Sequence, residues 1–100
     1  MRESAVERKL FQMVRQLGGR AIKLRNTNRI GDPDRLLVLP HGVTLYAEVK
    51  RPGQRPRSSQ QRVHAWFRRK GHTVLIVDGT NWHQVFTYMR SRIIMAARRA

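Results

Sequence analysis

Asp34, Glu48 and Lys50 are the residues of this chain whose types and spacing suit phosphodiester hydrolysis. That reaction needs a divalent cation to neutralise charge developing on the phosphate and to activate a water. Magnesium takes oxygen ligands, commonly one or two carboxylates with waters completing the shell. Gly31-Asp32-Pro33-Asp34 opens one apolar stretch, and Glu48-Val49-Lys50 closes the next. Alternate residues of a strand project to one face, so Glu48 and Lys50 point the same way. One can ligate the cation while the other orients or polarises the attacking water and the phosphate. Pro33 fixes its own φ and helps the chain enter Asp34 at a defined angle. The backbone carbonyl of Val49 is a candidate further ligand.

These groups meet only if the chain around them forms a hairpin. Leu36 to Leu39 is a compact apolar run ending at Pro40, and His41-Gly42 reads as a turn. Val43 to Val49 then alternates Val43, Leu45, Ala47 and Val49 against Thr44, Tyr46 and Glu48, which is strand patterning. So short a connection predicts an antiparallel hairpin, with Asp34 at the start of one arm beside Glu48 at the end of the other.

The remaining elements frame that hairpin. Val6, Leu10, Met13 and Leu17 share a helical face in Glu3 to Leu17, which Gly18-Gly19 ends. Arg20 to Arg25 reads as a short strand, and Asn26 to Pro33 as a loop. After a basic loop from Arg51 to Arg57, Ser58 or Ser59 caps a helix that runs to Lys70 and stops at Gly71. Thr73 to Val77 is a β-branched strand, and Thr80 or Asn81 caps a last helix with Trp82, Val85, Phe86, Met89 and Ile93 at core spacing. The expected fold is α/β, a single domain over residues 1–100 with a mixed central sheet flanked by helices in the order αβββαβα.

Twenty-one Lys and Arg against six Asp and Glu give a formal net charge of +15, a field that draws nucleic acid. Spread along the whole chain, the basic residues do not form a membrane-binding amphipathic segment. There is no cysteine, which excludes disulfides and thiolate metal sites. The first twenty residues lack the apolar core of a signal peptide and no stretch reaches membrane-spanning length, so the expected setting is cytoplasmic.

Pro33-Asp34 followed by Glu48-x-Lys50 resembles the PD-(D/E)XK nuclease superfamily. The wider pattern is an early helical Glu, the Gly-x-Pro-Asp loop, an apolar strand, Glu48-Val49-Lys50-Arg51-Pro52-Gly53, and Ser-x-Gln opening a helix that ends in Gly. From Glu3 to Val77 it resembles the VRR-NUC family, and in particular its stand-alone, virus-type members. The resemblance implies a restriction-endonuclease-like core and structure-selective cleavage of branched DNA such as Holliday junctions. It also implies Mg²⁺ or Mn²⁺ on Asp34 and Glu48, Lys50 as the catalytic lysine, and a viral or prophage origin.

Two outer positions stay open. Glu7-Arg8-Lys9-Leu10 is similar to the Glu-Arg-x-Leu of archaeal junction resolvases, whose Glu helps bind metal. Glu3 lies no farther from the centre of the apolar face, but Glu7 has the motif match and stands clear of a fraying terminus. Gln60 borders the buried face of its helix and would orient water or Lys50, whereas Gln61 is turned about 100° towards solvent.

Arg51, Arg55 and Arg57 leave the site directly and are expected on phosphates flanking the cut, as are Arg25, Arg29 and Arg35 on the other side of Asp34. His41, His64, His72 and His83 show no ligand spacing; His41 reads as a turn residue, and His64 faces either the site or, as favoured, the surface. Trp66, Phe67, Trp82 and Phe86 read as core. Ile93, Ile94 and Met95 exceed what one helix face needs and suggest a homodimer, which paired cuts across a two-fold symmetric junction would require. A non-catalytic basic binding module, or a nicking or duplex endonuclease without junction preference, would share much of this composition.

Overall fold

The computed structural model describes residues 2–24 and 30–99. In chain order the elements are α1 (Glu3–Gln16), β1 (Arg20–Lys23), β2 (Arg35–Val38), β3 (Thr44–Val49), α2 (Ser58–Arg69), β4 (Val74–Val77) and α3 (Trp82–Arg99). A 3₁₀ turn, Pro40–Gly42, joins β2 to β3, with His41 in the left-handed region at φ 61°. The expected order αβββαβα is the observed one.

One four-stranded sheet, ordered β1-β2-β3-β4, is antiparallel across its first three strands and parallel between β3 and β4. Helix α2 makes the crossover that a parallel pair requires. Arg35 pairs with Ala47 and Val38 with Thr44, while the Leu39 N–H donates to the Val43 carbonyl at 2.8 Å and extends the hairpin towards its turn. At the other end, the Leu24 N–H donates to the Asp34 carbonyl at 2.9 Å, so Asp34 is fixed by main chain as well as side chain.

The sheet has two unlike faces. Leu37, Leu45, Ala47, Val49 and Val77 form a core with Val6, Leu10 and Val14 of α1 and with Val85 and Met89 of α3. Burying each of the three α1 side chains is worth about 1.5–3 kcal/mol, enough to hold a helix that has no side-chain cap. The alternate residues Tyr46, Glu48 and Lys50 meet α2 instead, Tyr46 through an edge-on contact with Phe67 at 4.9 Å between ring centroids. Thus the period of β3 sends its apolar set to one side and its chemical set to the other.

Helix starts differ from expectation at α2. Arg57 rather than Ser58 or Ser59 is its N-cap, and the side-chain oxygen of Gln60 accepts from the Arg57 N–H at 2.9 Å. Asn81 precedes α3 as expected and its carbonyl accepts from Val85 N–H, but its side chain bonds Ile76 and Asp78 and so ties the helix start to the end of β4. Among the described residues no helix is long and apolar enough to cross a membrane.

Gly31 locks the Asp34 loop onto α2. Its φ is +95°, and a Cβ there would lie 2.9 Å from Val63 Cγ2 and 3.0 Å from the Ser59 carbonyl oxygen. Gly31→Ala is therefore expected to cost about 1–3 kcal/mol in stability and to lower any activity that depends on Asp34. Thermal denaturation alongside an assay of the variant checks both effects.

Candidate active site

The end of β3 brings the chemical groups together. Glu48 and Lys50 project from one face of the strand, and Gln60, in the first turn of α2, reaches down between them. Lys50 Nζ donates to Gln60 Oε1 at 2.9 Å, and Gln60 Nε2 donates to Glu48 Oε2 at 3.1 Å. Lys50 Nζ also lies 3.5 Å from Glu48 Oε2, which closes a triangle of three side chains. Glu48 and Lys50 are 4% and 8% exposed, so a carboxylate and an ammonium are both removed from water. Such burial is expensive unless each charge is paired and hydrogen-bonded. Gln60 supplies the bonds by acting as acceptor to one and donor to the other.

Asp34 stands across the hairpin from Glu48. Its Oδ1 accepts from the Val49 N–H at 3.3 Å, and Arg35 Nη1 lies 3.5 Å from the same oxygen. Burial raises the Asp34 carboxyl above its ordinary value, and the negative field of Glu3 adds to it; Arg35, the Val49 N–H and Lys50 pull the other way. Glu48 is pushed up to about 7 by burial first and by Asp34 second, against the opposing pull of Lys50. Two carboxylates raised by burial, one of them also by its neighbour, suit a cation between them.

One oxygen of this pair points at nothing. Glu48 Oε1 is buried and has no hydrogen-bond partner among the described residues, and the same holds for Nε2 of His64, 3.8 Å away. That separation exceeds a hydrogen bond. His64 is 1% exposed, and burial, with the positive fields of Arg68 and Lys50, lowers it below the ordinary histidine value. It lies buried behind Glu48, the less favoured of the two places the sequence left open. Helical period was the missed signal: four residues after Gln60, His64 shares its face.

Other candidates land in different places. Arg35, expected on DNA phosphates, is 4% exposed: it bonds the Asp34 carbonyl at 2.9 Å and forms an ion pair with Glu7. Its ion pairs with Glu7 of α1 and with Asp34, and its burial, remove it from any DNA surface. Glu7 is taken up by that ion pair, whereas Glu3 is the α1 acid whose field raises Asp34. Arg51, Arg55 and Arg57 are exposed on the loop leaving Lys50. Arg25 and Arg29 lie outside the described residues. Gln61 is turned away to the Pro56 carbonyl at 2.9 Å.

The carboxylate pair fits a divalent cation on its donor chemistry: two oxygen ligands raised by burial, one with an unpartnered buried oxygen. Among the described residues no three acidic or histidine side chains are placed to hold one metal ion together. Two carboxylates with waters match magnesium better than zinc.

Over 78 residues the chain is 41% identical to a protein of Acyrthosiphon pisum secondary endosymbiont phage 1 named "Putative nuclease p44", covering 78% of this chain and 84% of that protein. A solved structure described as a VRR_NUC domain is 32% identical and superposes with a TM-score of 0.77, over 86% of this chain and 94% of the other. This chain belongs to the VRR-NUC family. No protein-family model matches it.

In this VRR-NUC chain Gln60 is the joint of the site, which sets a test. Gln60→Ala leaves Lys50 and Glu48 without their shared partner and is expected to lower turnover about 10–100-fold, the usual effect of removing a group that orients a ligand. Gln61→Ala should stay within about twofold, because its side chain faces the Pro56 carbonyl in an exposed loop. Comparing kcat for the two neighbours checks the assignment.

Proposed function

We propose that this chain is an endonuclease that hydrolyses DNA with a Mg²⁺ or Mn²⁺ ion held by Asp34, Glu48 and the Val49 carbonyl, and that it prefers branched DNA. The observation that carries this reading is the closed Lys50–Gln60–Glu48 triangle beside Asp34. Bound there, a divalent cation supplies charge neutralisation at the phosphate and an activated water. Lys50, held at Nζ by Gln60 and Glu48, presents its positive charge to the water and the scissile phosphate. Gln60 keeps that ammonium from collapsing wholly onto Glu48. Glu7 acts at one remove, holding Arg35 against the Asp34 loop.

Arg51, Arg55 and Arg57 place the strand on phosphates flanking the cut, without reading sequence. Binding should then weaken steeply with salt. Ile94 and Met95, 38% and 49% exposed near the end of α3, give a second copy an apolar strip, and a symmetric pair could cut both strands of a four-way junction. The likeness to a phage protein supports action in a host cytoplasm from a viral or prophage gene.

The test is a substrate panel: four-way junctions, flaps and linear duplexes of equal length, each with Mg²⁺, Mn²⁺ or chelator. Faster cleavage of the branched substrates is expected. Equal cleavage of all three would remove the branch preference and leave the nuclease.

A further inference from the structure

Helix α2 has a second face that the triangle does not use. Gln60 and His64 turn towards Glu48, whereas Arg62, Val63 and Trp66 turn to an open groove of about 740 Å³ whose far wall carries Ile30 and Asp32 and whose end carries Arg69. Sequence spacing placed Trp66 in the core, but its ring is 50% exposed, and Ile30 beside the same groove is 88% exposed. The ring has two neighbours. It packs edge-on against Phe67 with centroids 5.4 Å apart, and Lys70 Nζ lies 5.6 Å from its centre.

An exposed indole rimmed by guanidinium groups suits one kind of partner: a nucleobase attached to phosphates. Base–aromatic stacking tolerates any sequence, because every base has a π-face, and neighbouring Arg and Lys take the backbone charge. A second copy of this chain suits the groove poorly, since it would bring another net charge of +15 against the same arginines. Position along the helix adds to the case. Trp66 is six residues beyond Gln60, about 9 Å along the axis, or roughly three stacked nucleotide steps.

We propose that Trp66, with Arg62 and Arg69, is a stacking site for a nucleobase of an unpaired strand close to the cut. The proposal rests on the nuclease reading above and specifies its substrate class. In an intact duplex both faces of each base are covered by neighbours. A free π-face arises only at a branch, flap, gap or end, so Trp66 would tell branched DNA from plain duplex without reading sequence.

The experiment is run in chelator, so that it measures binding independently of cleavage. Labelled oligothymidylate and a duplex of equal length are titrated with the full chain, with Trp66→Ala and with Trp66→Phe. Trp66→Ala should weaken binding of the unpaired strand about tenfold and that of the duplex less than about twofold. Trp66→Phe should keep most of the affinity, yet lose the quenching of tryptophan fluorescence that the unpaired strand causes in the unaltered protein. Equal losses on both DNAs, no loss on either, or a Trp66→Ala chain that only dissociates from dimer to monomer would each overturn the proposal. Failure of the underlying reading looks different: a chain that stacks unpaired bases through Trp66 and cuts no DNA in Mg²⁺ or Mn²⁺.

Discussion

Asp34→Asn and Lys50→Ala are each expected to lower DNA cleavage by about 10³-fold while leaving DNA binding intact. Asp34→Asn removes no apolar surface and should leave the fold intact, whereas Lys50→Ala strips the buried Glu48 of its counter-charge, so its melting is followed alongside. Asn keeps the shape of Asp34 and can still accept from the Val49 N–H, but it removes one of the two charges that would hold the cation. Lys50→Ala removes the ammonium and leaves Glu48 buried with only Gln60 as donor. In a chain of net charge +15, losing one carboxylate should, if anything, strengthen DNA binding in chelator. Single-turnover cleavage and filter binding on the same preparations separate the two effects. Parallel loss of cleavage and binding would mean that these residues hold the fold or the DNA rather than perform chemistry.

Glu48→Gln is expected to destroy activity and to stabilise the cation-free chain. Burial and Asp34 raise the Glu48 carboxyl from 4.5 to about 7 in the folded state. The folded chain therefore binds this proton more tightly than the unfolded chain, and stability falls as pH rises from 4.5 through about 7. Above that window the ionised carboxylate costs about 3–4 kcal/mol, on the scale of 1.36 kcal/mol for each pH unit between the two values. Gln does not ionise, and its oxygen can still accept from Gln60. In chelator at pH 8 the variant should melt about 10–20 °C higher, with the difference vanishing below pH 4.5. Adding Mg²⁺ should raise the melting temperature of the unaltered chain but not that of the variant. A variant that melts lower at pH 8 would show that the ionised Glu48 is stabilised by Lys50 more than it is penalised by burial.

Much of this was legible in the sequence, because period and turn chemistry agree along the chain. The helices and β3 follow from helical or alternating apolar patterns, β2 and β4 from short apolar runs, and the hairpin that joins Asp34 to Glu48 follows from the short Pro40–Gly42 connection. Gln60 was found by asking which glutamine borders a buried helical face. The same question left His64 facing either the site or the surface, and its polar type favoured the surface. Trp66 failed in the opposite direction: its size argued for the core, although it lies a third of a turn from Phe67, whose edge meets Tyr46. Arg35 was beyond reach, since its burial depends on an ion pair with Glu7, 28 residues away on another element. Local pattern reports which face a residue occupies, not which distant charge will meet it there.

Cation-dependent cleavage by the unaltered protein tests the central claim most directly. Purified chain is incubated with supercoiled plasmid and with a four-way junction, in Mg²⁺, in Mn²⁺ and in chelator, beside Asp34→Asn. Cleavage with either cation, none in chelator, and none by the variant is the expected result. No cleavage under any condition, from a chain that binds both DNAs and binds them equally well as Asp34→Asn, would contradict the claim and leave a basic nucleic-acid-binding module.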